Sequence, residues 1–326
     1  MDGFTALLSA ETPPLHALQG WLAGIGMQTS QQTLKTAIDC AGTGLHSGRM
    51  VRLALHPAPV DHGIVFLRSD LGLRIPARYD AVGDTRLCTV IGEAAGRIGT
   101  IEHLMAALSG LGIDNALIAV DGPELPVFDG SAEPFVFLIE RAGIAVQDAP
   151  RRMLAIRQSV RVEDGAAFAE LHPAEADAPA GLSLAMSIDF AAPAIGRQHD
   201  SLHLSPVRFR RDIAAARTFA LAGDIDALRA SGLALGGSLD NAIVVDGARV
   251  LNPGGLRMER EFVRHKLLDA VGDLALAGAP IHGRFVCHRG GHALTNRLLH
   301  AVAAADAASL IDARLLAGET SQARAA

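Results

Sequence analysis

From Thr33 onward the chain runs in short segments of alternating apolar residues, each closed by Gly, Pro or Asp. Twice this run is broken by a helix-patterned stretch that ends at a glycine and passes into another strand. TLKTAIDCAG, RMVRLALHPA, GIVFLRSD and TRLCTVIG read as strands. GTIEHLMAALSGLG follows as a helix, with Thr100 the expected N-cap and glycines ending it. IDNALIAVDG is then a strand and SAEPFVFLIERAG a second helix. The second half has the same texture, with LAIRQSVRVEDG and SLAMSIDF as strands, 207–216 and DIDALRASG as helices, and NAIVVDG and ARVLN as strands. EFVRHKLLDAVGDL is a long helix, GRFVCHRGG a strand and TNRLLHAVAAADA the closing helix. Consecutive strands mixed with helices point to α+β, in two similar α/β-layered domains, rather than to a doubly wound sheet. The expected division is an N-terminal extension at 1–32, a first domain at 33–150, a second at 151–315 and a loose tail at 316–326, with the seam at APRRML.

A chain of 326 residues is long enough for two such domains. With 49% hydrophobic and 20% charged residues it has the profile of a folded globular protein. A net charge of −6 argues against general nucleic-acid binding, which needs a basic surface to displace counterions. Cys40, Cys88 and Cys287 are too few and too scattered for a disulfide framework or a cysteine zinc site, which favours a reducing cytoplasm. The first thirty residues hold no Lys or Arg and no long apolar run, so no secretory signal or membrane span is expected there.

Three stretches could carry chemistry. Wound as a helix, EFVRHKLLDAVGDL puts Val263, Leu267, Ala270, Val271 and Leu274 on one side and His265, Asp269 and Asp273 in a row on another. Asp is a poor helix-interior residue, so two in that row need a reason. A solvated face would be one. The ability of His265 and Asp269, four apart, to touch a single ion would be another. In TIEHLMAALSGLG the core stripe is Ile101, Leu104, Met105 and Leu108, while Glu102, His103, Ala106, Ala107 and Gly110 lie off it. Ala and Gly there permit another element or a ligand to come close. H-E-x-x-H is absent, so His103 would have to share a metal with ligands from elsewhere. Two His and one carboxylate, with a fourth position left for water, make a catalytic zinc set, here drawn from both halves and placed at their interface. In HRGGHALTN two glycines lead to His292, and Asp273 is left over as a carboxylate able to orient an imidazole. AGTGLHSG matches neither phosphate-loop pattern.

Taken together, GTGLHSG, DTRLCT, TIEHLMAALSGLGIDN, PVFDGSAEPFV, VRVEDG, ARTFAL, LGGSLDNAIVV, EFVRHKLLDAVGDL and GGHALTN, in this order, resemble one family. It is the zinc-dependent UDP-3-O-acyl-N-acetylglucosamine deacetylases of lipid A biosynthesis, and the resemblance runs from Thr33 to about Ala305. It implies Zn2+ held by His103, His265 and Asp269, with Fe2+ an alternative for two His and one carboxylate. It also implies Glu102 as general base, and His292 paired with Asp273 as cationic partner or acid. Thr218 would stand at the oxyanion and Lys266 would be a nearby cation. Phe219 and the insert at 219–240 would wall an acyl passage. The implied substrate contacts are Leu45, His46, Cys88, Asp189 and Phe190 at the uridine end, Gly237, Ser238 and Arg289. The implied activity is removal of the N-acetyl group from an acylated UDP-amino sugar by a cytoplasmic monomer, for which no nucleic-acid partner and no integral membrane span are expected.

Three positions depart from the family pattern. Ala167 and Arg289 stand where lysines are expected, and Arg86 where Met is common, which bears on nucleotide and acyl binding. The competing readings are a zinc amidohydrolase acting on a different acylated sugar and an inactive relative serving as a binding protein.

Overall fold

The computed structural model describes residues 28–317. The expected extension and tail lie largely outside the described residues. Inside them, Ser30–Leu34 is a strand paired antiparallel with Ile144–Pro150, and a short helix spans Ala313–Ala317.

Two mixed sheets carry the fold. The first has five strands, in the order Ile38–Thr43, Met50–Pro57, Ala116–Val120, Ile64–Arg68 and Leu73–Pro76. The second has seven. Its central strand, Ile281–His288, pairs with Ala167–His172, with Arg152–Ile156 and with Leu182–Asp189. A third, three-stranded sheet contains Phe219–Leu221, Ile243–Asp246 and Arg249–Val250.

The helices relevant here are α1 (Glu102–Leu111), α2 (Glu133–Ala142), α3 (Ala222–Ala230), α4 (Glu261–Ala275) and α5 (His292–Ala304). The motif of helix, glycine and strand occurs twice in a corresponding way. After α1, Gly112 turns the chain at φ 79° toward Ala116–Val120, which lies parallel to Ile64–Arg68. After α4, Gly278 turns it at φ 83° toward Ile281–His288, which lies parallel to Leu182–Asp189. Left-handed backbone at both helix ends is the conformation glycine adopts without a Cβ penalty.

Helices α1 and α4 pack on one another. Their sequences allow a close approach: a Cβ on Gly272 would collide with the backbone of Glu102, and one on Gly110 with the ring of Phe209. Both apolar stripes expected from the sequence are buried, as are Ala106 and Ala107. Three local expectations fail. Of TRLCTVIG, expected as one strand, only Val90–Ile91 is strand. Thr100 does not cap α1: its φ is 56°, Ile101 occupies the cap position without a side-chain bond, and the Thr100 hydroxyl donates to Glu124 instead (3.0 Å). The stretch 207–216 is not one α-helix. It is a short turn at Pro206–Arg208 running into a π-helix at Phe209–Ile213, whose Phe209 ring fills the space left by Gly110.

Candidate active site

The contact between α1 and α4 brings three donors together. One ligand atom from each of His103, His265 and Asp269 lies within 4.8 Å of the others, the single such group of His, Cys, Asp or Glu among the described residues. All three side chains are buried. Asp269 Oδ1 stands 3.3 Å from His265 Nε2 and 3.6 Å from His103 Nε2. Two donors at about 2.0–2.1 Å from a tetrahedral zinc would stand roughly 3.3–3.4 Å apart, so the spacing fits one ion between them. Asp269 Oδ1 is buried without a hydrogen-bond partner, and such an atom is costly unless something else satisfies it; the other ring nitrogen of His103, Nδ1, is unpartnered as well.

The electrostatics suit a cation. Burial lowers the His265 pKa to about 4, helped by His103 and Lys266 and opposed by Asp269, so the ring is neutral and can ligate. Its Nδ1 faces the carbonyl of Ala216 at 3.0 Å, which places the proton on Nδ1 and leaves the Nε2 lone pair toward Asp269. Burial opposes ionisation of Asp269, but His265 and Lys266 outweigh it and hold the carboxyl well below its usual range. Lys266 Nζ donates to Asp269 Oδ2 at 2.7 Å. Burial would lower the Lys266 pKa, yet Asp269 raises it overall, so the cation stays charged.

One turn away lies a second group. Glu102 is buried, and burial pushes its pKa up against the pull of His292 and His103, the direction required of a base at neutral pH. Its Oε2 accepts the Thr89 backbone N–H at 3.0 Å, and its Oε1 stands 3.9 Å from His292 Nε2. His292, the first residue of α5, donates from Nδ1 to Asp273 Oδ2 at 2.8 Å. Burial alone would lower the His292 pKa, but Asp273 and then Glu102 reverse it and push it up to about 9.

Of the remaining expected residues, Phe219 reaches the donor group directly. Phe219 lies edge-on to His265 (6.3 Å between ring centroids), to Phe262 (5.1 Å) and to Phe190 (5.4 Å). A residue expected at the uridine end thus touches one expected in the acyl passage. Thr218 is fixed by its own backbone, its N–H donating to Gly130 and its carbonyl accepting from Ile243 (both 2.8 Å). Arg217 beside it forms a buried ion pair with Glu261 at the start of α4 (2.8 Å). Leu45 and His46 pack on the loop at 234–238: Gly236 N–H donates to Leu45 O and Leu235 N–H to His46 O, bringing Gly237 alongside. Cys88 is buried, and burial, then Glu102, pushes its thiol up to about 12, so it is no nucleophile. Other expected residues make their contacts elsewhere. Asp189 pairs with Arg197 (3.2 Å), the Ser238 N–H donates to Asn241, and Arg289 is exposed at φ 55° in the turn leading to His292. Arg86 pairs with Asp84 (2.8 Å), and Ala167 begins a strand.

Two residues of the site were not singled out from the sequence. Thr89 contacts Glu102, Asp273 and His292. Glu124 is buried and accepts from the backbone N–H groups of His46 and Ser47 and from Thr100, tying the Leu45–His46 turn to the entry of α1. The available signals were the Thr closing DTRLCT and the Glu of DGPELP, neither periodic with anything. A cavity of about 750 Å³ lies elsewhere, lined by Met105, Leu108, Val271 and Leu274 among others; none of the donor or acid–base side chains lines it.

Comparison with known proteins bears on this geometry. The family model described as UDP-3-O-acyl N-acetylglycosamine deacetylase matches residues 31–304. The chain belongs to that family. A relative named UDP-3-O-acyl-N-acetylglucosamine deacetylase from Shewanella violacea is 51% identical over 279 residues, covering 84% of this chain and 90% of its own length. Relatives with the same name from Shewanella baltica and Shewanella oneidensis are 52% and 51% identical over the same span. The protein is an enzyme, a deacetylase that hydrolyses an amide in lipid A biosynthesis. No helix among the described residues is long and apolar enough to cross a membrane.

Proposed function

We propose that this chain hydrolyses the N-acetyl group of UDP-3-O-(3-hydroxyacyl)-N-acetylglucosamine, giving acetate and the free-amine UDP sugar, with Zn2+ held by His103, His265 and Asp269. The observation that carries the reading is the neighbourhood of two buried groups. One offers three donors at zinc spacing, and the other pairs a carboxylate of raised pKa with an imidazole of raised pKa. Bound there, a zinc ion acidifies a water molecule and polarises the amide carbonyl. Fe2+ suits the same donor set.

The chain's own residues supply the rest. Glu102 takes a proton as the water oxygen attacks the acetyl carbon. The Thr218 hydroxyl donates to the oxyanion of the tetrahedral species. His292, kept protonated by Asp273, delivers a proton to the sugar nitrogen as the carbon–nitrogen bond breaks. Lys266 holds Asp269 ionised and keeps positive charge near the reacting carbonyl. Phe219 and the segment to residue 240, which contains α3, form the apolar wall for the fatty chain. Leu45, His46, Gly237 and Ser238 border that passage, while Asp189, Phe190 and Arg289 serve the nucleotide end. We place the centre at the interface of two lobes, 33–150 and 151–315, in a cytoplasmic monomer.

The test is acetate release from the acylated UDP sugar against UDP-N-acetylglucosamine without the fatty chain. The reading expects the acylated substrate to be strongly preferred. Equal turnover of both, or preference for an acylated sugar without UDP, would transfer the assignment to a different amidohydrolase.

A further inference from the structure

The Thr89 side chain is buried and takes no part in the bond-making and bond-breaking steps of the hydrolysis. Its hydroxyl is 2.6 Å from Asp273 Oδ1 and 3.1 Å from His292 Nδ1, and its backbone N–H donates to Glu102 Oε2 at 3.0 Å. These contacts fix a proton inventory. A carboxylate only accepts, and a threonine hydroxyl has one proton to give. That proton goes to Asp273 Oδ1, the shorter contact. The Thr89 oxygen can therefore meet His292 Nδ1 only as an acceptor, and Asp273 Oδ2, 2.8 Å from the same nitrogen, is an acceptor too. Nδ1 faces two acceptors and must carry the hydrogen. Nε2, on the side of Glu102 Oε1, is then the one ring nitrogen through which a proton can enter or leave.

The backbone N–H of the same residue occupies Glu102 Oε2, which turns Oε1 toward His292. A single residue thereby orients the base and the acid with respect to each other. It also follows Cys88 directly, in the segment expected to meet substrate.

We infer that Thr89 is a positioning residue for proton transfer: its hydroxyl locks the Asp273–His292 pair with hydrogen on Nδ1, so that Nε2 faces the departing amine. The inference rests on the deacetylase reading. Thr89→Val replaces the hydroxyl with a methyl group and leaves the backbone N–H to Glu102 in place, which isolates the hydroxyl. Thr89→Ala removes the hydroxyl without demanding that a second methyl fit. Thr89→Ser keeps it.

The experiment measures kcat, KM and metal content for these variants in the wild-type and His292→Gln backgrounds, on the acylated UDP sugar. Thr89→Val and Thr89→Ala are expected to lower kcat on the order of 10- to 100-fold with KM and metal content little changed, the size of effect seen when a group orienting a metal-bound His is lost. Thr89→Ser is expected to recover most of that loss. In the His292→Gln background the added loss from Thr89→Val should shrink to within about twofold, because the group being oriented is gone. Thr89→Val or Thr89→Ala with undiminished kcat would overturn the inference. So would a Ser variant as slow as Val, or an equal penalty in both backgrounds. Failure of the wild type to release acetate would overturn the deacetylase reading itself, which the wild-type arm measures separately.

Discussion

The two groups at the junction of α1 and α4 differ in how their polar atoms are satisfied. In the donor group, Asp269 Oδ1, the atom facing both His265 Nε2 and His103 Nε2, is buried without a hydrogen-bond partner. In the proton-handling group, Glu102 Oε2, both oxygens of Asp273 and His292 Nδ1 are all engaged within 3.1 Å. Burial is nearly the same for both, so solvent does not account for the contrast. A cluster assembled to hold an ion has lone pairs turned inward for it, whereas a cluster assembled to move protons must already have its hydrogens assigned. On the proposed function, one site holds both designs a helical turn apart, Asp269 in the first and Asp273 in the second.

Substitutions can show whether the two groups are separate. The largest effect is expected from His265→Ala, which should lose bound metal and bring acetate release to background together, measured by elemental analysis beside the assay. Retention of metal would remove His265 from the donor group. Glu102→Gln should separate the two groups: metal content unchanged, kcat lower by roughly 10²–10⁴ as for a lost general base. A Gln variant that also sheds metal would show the groups to be one.

His292→Gln comes next, with a loss on the order of 10²-fold, the lower end for general acid catalysis. The pH profile carries the sign. The His292 pKa is raised to about 9, above its ordinary value, so the cation persists through neutral pH and is lost as pH rises through 9. The wild-type rate should therefore fall on that alkaline side, and the fall should vanish in the Gln variant. Smallest is Phe219→Ala, outside both groups. Lost apolar contact of about 1–3 kcal/mol should raise KM for the long-chain substrate by roughly 10- to 100-fold. Shorter-chain substrates should suffer less, and metal content should not change.

Much of this centre was legible because it is local. His265, Asp269 and Asp273 recur every four residues, so helical geometry alone puts them in one row. The buried stripes of both helices followed the same periodicity. What sequence could not show depends on contacts between distant segments. Thr89 meets Asp273 across 184 positions, and nothing in the spacing announces it. Gly272 looks like a weak point in a helix, yet its missing side chain is what lets the Glu102 backbone approach. The cap expectation at Thr100 failed for a related reason: a local rule assigned the hydroxyl to its own helix, whereas buried Glu124 claims it from another segment. The Val207 region read as plain helix because a π-turn leaves no mark in apolar periodicity.

We propose that amide hydrolysis here depends on one ion bound jointly by His103, His265 and Asp269. The decisive experiment follows acetate release from the acylated UDP sugar by protein stripped with a chelator and then given back Zn2+. Activity is predicted to disappear with the metal, to return at close to one ion per chain, and not to return in His265→Ala. Full turnover by metal-free protein would contradict this.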